Sequence, residues 1–227
     1  MISHKHKCIF IHIPKTAGTS INSFFHPGVV FHYKNPDYER LFGWCPKRKL
    51  HMQHATSKQL LETELITESQ WKTYYKFAFV RNPWDRAYSD YLFIKDFAKV
   101  NGSFKEYITK KGEFNKIFTD NTNENYLGDH LQSQSSFLDL NGKNEINFIG
   151  RFENFSKDIL KVLSYLEINK NFDVFQNKSK NRIREYSNFY TNSNKKLIES
   201  IYNDDINLFN YTFEDKRKGI NSLKKFF

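Results

Sequence analysis

The stretch Cys8-Ile9-Phe10-Ile11-His12-Ile13-Pro14-Lys15-Thr16-Ala17-Gly18-Thr19-Ser20 decides the fold. Its apolar, β-branched first half, stopped by a proline, reads as a buried strand from Cys8 to Ile13. A helix beginning near Thr19 follows, carries Ile21, Phe24 and Phe25, and stops at Pro27-Gly28. Between them, Pro14 to Gly18 form a loop whose backbone N–H groups converge on the positive end of the helix, where an anion is favoured. Small Ala17 and Gly18 admit a close approach, Lys15 supplies charge, and the hydroxyls of Thr16, Thr19 and Ser20 add directional donors. The lysine precedes the glycine and no G-x-x-x-x-G-K-[ST] occurs, so this phosphate grip departs from the usual nucleoside triphosphate pattern.

Outward from this unit, strands and helices continue to alternate. Thr56 with Gln59 has the form of a capping box, which places His54 just before a helix that buries Leu60, Leu61 and Leu65. Tyr75 to Val80 reads as a second buried strand, and Asn82-Pro83 supplies an N-cap and a first-turn proline for the next helix. That helix sets Trp84, Ala87, Tyr88, Tyr91 and Leu92 on one apolar stripe and leaves Ser89 off it. After a long irregular stretch, Ile146 to Ile149 reads as a strand and Ser156 as the cap of a helix carrying Ile159, Leu160, Leu163 and Leu166. Leu197, Ile198, Ile201, Tyr202, Leu208 and Phe209 mark one last helix. The alternation predicts an α/β fold: a single P-loop-like domain over residues 1–227, with a central parallel β-sheet flanked by helices. Residues 216–227 read as a flexible basic tail.

Thirty-five Lys and Arg against 25 Asp and Glu leave a formal charge of +10, which favours an anionic partner: a cofactor, an acidic glycan or a membrane surface. The same lysines also suit a merely solvated face. Nucleic acid is not the expected partner, because no recognition motif accompanies the charge. Two cysteines are too few for a disulfide framework or a thiolate metal site, and the six-residue apolar run near the amino terminus is too short for a signal or membrane span. Both point to the cytoplasm. No metal site is expected: His51 and His54 lack the glutamate and third ligand of a zinc site. The tail, with Lys216, Arg217, Lys218, Lys224, Lys225, Phe226 and Phe227, allows at most a weak contact with a membrane surface.

A second motif, Phe79-Val80-Arg81-Asn82-Pro83-Trp84-Asp85-Arg86-Ala87-Tyr88-Ser89, follows the first in order, and the pair resembles the carbohydrate-modifying sulfotransferases (sulfotransferase family 2). Weaker likeness runs through His51 to Thr56, Gln134 to Leu138, Gly150 to Asn154 and Asp205 to Phe213, whereas Phe31 to Leu50 and Phe97 to Asn125 match nothing in that pattern. The resemblance implies transfer of a sulfuryl group from 3′-phosphoadenosine-5′-phosphosulfate (PAPS) to a hydroxyl of a saccharide acceptor, leaving adenosine 3′,5′-bisphosphate. It implies that Lys15, Thr16, Ala17, Gly18, Thr19 and Ser20 hold the 5′-phosphosulfate and that Arg81 and Ser89 hold the 3′-phosphate. Arg81 at a strand end suits bidentate phosphate binding, with an ion pair to Asp85 as the structural alternative.

In this reading Lys15 faces the bridging oxygen of the donor and the loop N–H groups stabilise the leaving phosphate. His54 is the candidate general base, its ordinary pKa suiting proton abstraction, with His51, His130 and Glu153 as competitors. Gln134 and Arg151 are candidates for orienting the acceptor alongside His130 and Glu153, each equally a candidate for a structural hydrogen bond. Lys178, Ser179 and Arg182 form a basic loop suited to the 3′-phosphate or an acidic acceptor. The competing function is a P-loop-type kinase transferring phosphate from a nucleoside triphosphate, which requires magnesium.

Overall fold

The computed structural model describes residues 1–174 and 183–226. Its central sheet has the order β1 (Ile2–Ser3), β2 (Cys8–Ile11), β5 (Tyr75–Val80), β8 (Phe148–Arg151). The last three strands run parallel, while β1 is an antiparallel edge that the sequence reading did not include. Two small hairpins lie outside the sheet, β3–β4 (Trp44–Cys45 with Leu50–His51) and β6–β7 (Asp139–Leu140 with Lys143–Asn144).

Strict alternation along β2 and β5 builds two cores, one on each face of the sheet. Cys8, Phe10, Phe77 and Phe79 face α1 (Gly18–Phe25) and α8 (Phe155–Tyr165), packing on Ile21, Phe25, Ile159, Val162 and Leu163. Ile9, Ile11, Ala78 and Val80 face the other way, into a larger core shared with α2 (Ser57–Glu62), α3 (Glu68–Thr73), α4 (Pro83–Ala98) and α9 (Asn192–Ile201). Because the sheet is covered on both faces, β2 is buried at every position, which is why its sequence is a continuous apolar run.

Several element boundaries differ from the sequence reading for local reasons. β2 ends at Ile11, because the Ile13 N–H turns back to the Ile11 carbonyl at 3.2 Å and leaves the ladder. The last sheet strand lies two residues later than expected, since Phe77 pairs with Phe148 and Val80 with Arg151. α8 starts at Phe155 rather than after Ser156, led in by a 3₁₀ turn over Phe152–Asn154, and Leu160 faces solvent while Val162 takes the core position. The stretch expected to be irregular holds α5 (Phe104–Ile108), α6 (Phe114–Thr119) and α7 (Gln134–Leu138); Ser103 with Glu106 forms a full capping box for α5. The expected single last helix breaks at Tyr202 into α9 and α10 (Asn203–Leu208).

That break has a mechanical use: it aims Asp205, fully buried on α10, at the start of α7, where its two oxygens accept the N–H groups of Gln134 and Ser135 at 2.8 Å each. The stretch 216–227 read as a flexible basic tail is anchored at Arg217, whose buried guanidinium donates to Asp215, to the Tyr190 carbonyl and to Asn192, ahead of 3₁₀ turns over Gly219–Phe226. Among the described residues no helix is long and apolar enough to cross a membrane.

Replacing Asp205 by alanine leaves the buried Gln134 N–H and the part-buried Ser135 N–H without this partner and is expected to cost about 3 kcal/mol in denaturant unfolding. Asp129 gives the opposite case: neither of its buried carboxylate oxygens meets a side-chain donor among the described residues, and burial pushes the carboxyl up to about 6. The folded state therefore favours protonated Asp129, a contribution present below the ordinary pKa near 4 and lost as pH rises through about 6. Asp129→Asn is expected to raise the melting temperature at pH 8, by up to about 3 kcal/mol of stability, with no gain at pH 4; an equal gain at both pH values refutes this.

Candidate active site

Parallel pairing of β2 with β5 brings their C-terminal ends side by side, so the loop after Ile13 and the corner at Arg81-Asn82 meet at the head of the sheet. The Arg81 guanidinium donates to the Lys15 carbonyl at 2.9 Å and closes the junction. Within the loop, Lys15 and Ala17 are both left-handed (φ 70° and 72°), conformations that cost non-glycine residues about 1 kcal/mol each. The Thr16 hydroxyl, fully buried, donates to the Ile13 carbonyl at 2.8 Å and holds the turn. Ala17 is the N-cap of α1 and supplies no side-chain cap, so the Gly18 and Thr19 N–H groups at the positive helix end lack an intrahelical acceptor. The result is a strained backbone cradle suited to an anion, with Ser20 buried in its first turn.

Gly18 joins the cradle to a cluster of imidazoles. A Cβ at Gly18 would lie 1.7 Å from Nε2 of His12, so the His12 ring occupies the space that any side chain at position 18 needs. His54 follows a 3₁₀ turn, Met52–His54, just ahead of the capping box of α2, in which Thr56 and Gln59 cap each other. Its Nδ1–H donates to the His12 carbonyl at 3.0 Å, which leaves Nε2 as the acceptor nitrogen. The His12 and His54 ring centroids are 4.6 Å apart, and those of His54 and His130 are 5.2 Å apart. Phe93 stacks on His130 at 5.5 Å, and the Lys15 ammonium lies 4.0 Å from the centroid of the Phe93 ring.

Charge is distributed unequally over the cluster. Burial first, and neighbouring positive charge second, hold His12 and His54 well below the ordinary histidine range. Burial also opposes protonation of His130, but the charge and hydrogen bond of Asp90 at 2.6 Å outweigh it and raise the pKa. At neutral pH the site therefore holds neutral His12 and His54 beside a His130 biased toward the cation. His51 stands apart from them against Trp44, with ring centroids 5.1 Å apart, its pKa lowered by burial to about 4.

The second motif forms a corner beside the cradle. Arg81 is 2% exposed; Nε and Nη2 sit 2.9 and 2.8 Å from the same oxygen of Asp85, and the guanidinium lies over Phe152. The ion pair named as the structural alternative is thus present. Ser89 is buried two turns along α4. Gln134 makes a two-point amide contact with the backbone of Arg81, 2.8 Å in each direction. Glu153 accepts the Asn82 N–H at 2.6 Å and the Tyr211 hydroxyl at 3.0 Å, and Arg151 donates to the Phe209 carbonyl. Gln134 and Glu153 thus brace the strand-to-helix corner and Arg151 ties the end of β8 to Phe209, while Lys15, His54 and His130 converge on the cradle. Lys178, Ser179 and Arg182 lie outside the described residues.

His12, Phe93, Asp90 and Tyr107 were not singled out from the sequence. Two signals were available: a histidine interrupting the apolar run from Cys8 to Ile13, and an acidic residue beside Ser89 on the helix that carries the second motif. No group of three or more His, Cys, Asp or Glu side chains able to hold a metal occurs among the described residues.

Comparison with known proteins adds the family. An uncharacterized protein of Archaeoglobus fulgidus is 35% identical over 102 residues, covering 44% of this chain and 74% of that protein. No solved structure matches significantly. The model of the sulfotransferase family matches residues 1–212, a span that takes in the cradle, the Arg81 corner and all three clustered histidines. The chain accordingly belongs to the sulfotransferase family, whose members transfer sulfuryl groups.

Proposed function

We propose that the protein transfers a sulfuryl group from PAPS to a hydroxyl of a carbohydrate acceptor, with His54 as general base. The observation that carries this reading is the adjacency of a strained anion cradle and a neutral imidazole with a free acceptor nitrogen, joined through the contact of Gly18 with His12. The cradle fits the phosphosulfate end of the donor: α1 begins with N–H groups that no side chain caps, and Lys15 adds charge. Thr16, Ala17, Thr19 and Ser20 complete this P-loop-like grip; Arg81 and Ser89, with Lys178 and Arg182, are assigned to the 3′-phosphate. When bound, PAPS supplies an activated sulfuryl group and a phosphate leaving group.

The chain's own residues do the rest. Lys15 and the loop N–H groups stabilise negative charge at the leaving oxygen. His54 accepts the hydroxyl proton at Nε2, while its Nδ1–H stays on the His12 carbonyl and fixes the tautomer. Lys15 approaches the same region from the Phe93 side. A saccharide acceptor is supported by the resemblance to carbohydrate-modifying members of the family and, for an acidic glycan, by the charge of +10. Both cysteines, Cys8 and Cys45, are free thiols, which supports a reducing, cytoplasmic setting. The basic carboxyl-terminal segment suits weak contact with an anionic membrane.

Adenosine 3′,5′-bisphosphate at about 100-fold its dissociation constant is expected to stabilise the protein by about 2.7 kcal/mol in thermal unfolding; a response no larger than that to AMP refutes the donor assignment. His54→Ala is expected to lower turnover by about 10² to 10⁴ with bisphosphate affinity retained, and unchanged turnover would move the base elsewhere.

A further inference from the structure

Asp90 has no part in the function proposed above, yet it sits at the back of the histidine cluster and is only 1% exposed. Both of its oxygens are engaged. Oδ1 accepts the Nδ1–H of His130 at 2.6 Å, and Oδ2 accepts the Tyr107 hydroxyl at 2.7 Å. A buried ion pair of this kind adds little net stability compared with packed apolar side chains. Its effect here is to orient. His130 is held at Nδ1 by the carboxylate, on one face by the stacked Phe93 ring, nearly parallel at 6°, and against His54 in an edge contact at 70°. Phe93 in turn meets the Lys15 ammonium, and His54 is wedged between His12 and His130.

We propose that Asp90 is a positioning residue for the transfer: by fixing His130 it sets the ring of His54 and, through Phe93, the ammonium of Lys15. The proposal rests on the assignment of Lys15 and His54 to the reacting groups. Asp90 hydrogen-bonds only His130 and Tyr107, while its charge also favours the nearby Lys15 ammonium. The charged and titratable groups facing His130 are Asp90 and Asp129, which favour its cation, Lys15, which opposes it, and the neutral imidazoles of His12, His54 and His51. Asparagine at position 90 keeps the volume and an acceptor for Tyr107 but removes the charge and offers an N–H to Nδ1 of His130, releasing that ring from its orientation and tautomer.

The test uses Asp90→Asn and, as a second variant that leaves Asp90 in place, His130→Gln. In the ligand-free protein, ring-nitrogen NMR should show His130 of Asp90→Asn titrating lower by about one pH unit or more, and His54 losing its single Nδ1–H form. In turnover, both variants should lose kcat by about 10- to 100-fold, with the acceptor KM and bisphosphate affinity within about threefold of the parent. Unchanged kcat in both variants overturns the proposal. So does an unaltered His54 ring signature in Asp90→Asn, or a kcat loss that disappears on cooling in step with recovered folding. Should Asp90→Asn fail to fold, His130→Gln decides the kinetic question alone. Should the parent protein transfer no sulfuryl group, the functional reading fails, and the ring-nitrogen spectra still decide whether Asp90 sets His54.

Discussion

The hydrogen bond from the Arg81 guanidinium to the Lys15 carbonyl ties together the ends of two neighbouring parallel strands, and the site depends on that tie. Parallel strands end on the same side of a sheet, so the loops leaving β2 and β5 emerge side by side, and this bond fixes one against the other. Here one arginine clamps the cradle backbone with one nitrogen and uses two others on Asp85 of the following helix. Gln134 and Glu153 then hold the backbone of Arg81 and Asn82, and Asp205 holds the start of the helix that carries Gln134. A chain of buried polar contacts thus runs from α10 to the donor loop, each link satisfying backbone groups that the strand-to-helix corner would otherwise leave orphaned.

The parts of this arrangement legible in the sequence were those set by short-range rules. The apolar run at Cys8, the proline and glycine around Lys15, and the Asn82-Pro83 start of α4 each depend on a few consecutive residues, and each marked its element. The capping box of Thr56 and Gln59 was equally plain. Features set by distant partners were not. The split of the last helix follows from the need to aim Asp205 at α7, seventy residues away in sequence, and the brace formed by Gln134 follows from the position of Arg81. The apolar stripe of α4 was read correctly, but the first half of that helix is buried nearly all round, so Asp85, Arg86, Ser89 and Asp90 are interior polar residues rather than solvent-facing ones. A period of 3.6 marks one face of a helix; it is silent about helices that are enclosed.

The histidines were the least legible part. His54 stood out by its place before a cap, while His12 looked like one more member of a buried strand and His130 like one of several alternatives. In the folded chain they differ in charge because they differ in hydrogen-bond partner: a backbone carbonyl for His54, a carboxylate for His130. The same side chain type therefore provides a neutral acceptor and a ring biased toward the cation within one small volume.

The close fit of Gly18 against His12 has a consequence for how this site can change over generations. A methyl group at position 18 displaces the His12 ring, and the backbone that carries that ring also supplies the carbonyl holding His54. A side chain at position 18 is therefore tolerated only where position 12 gives up that space, which couples the donor loop to the segment whose carbonyl holds His54.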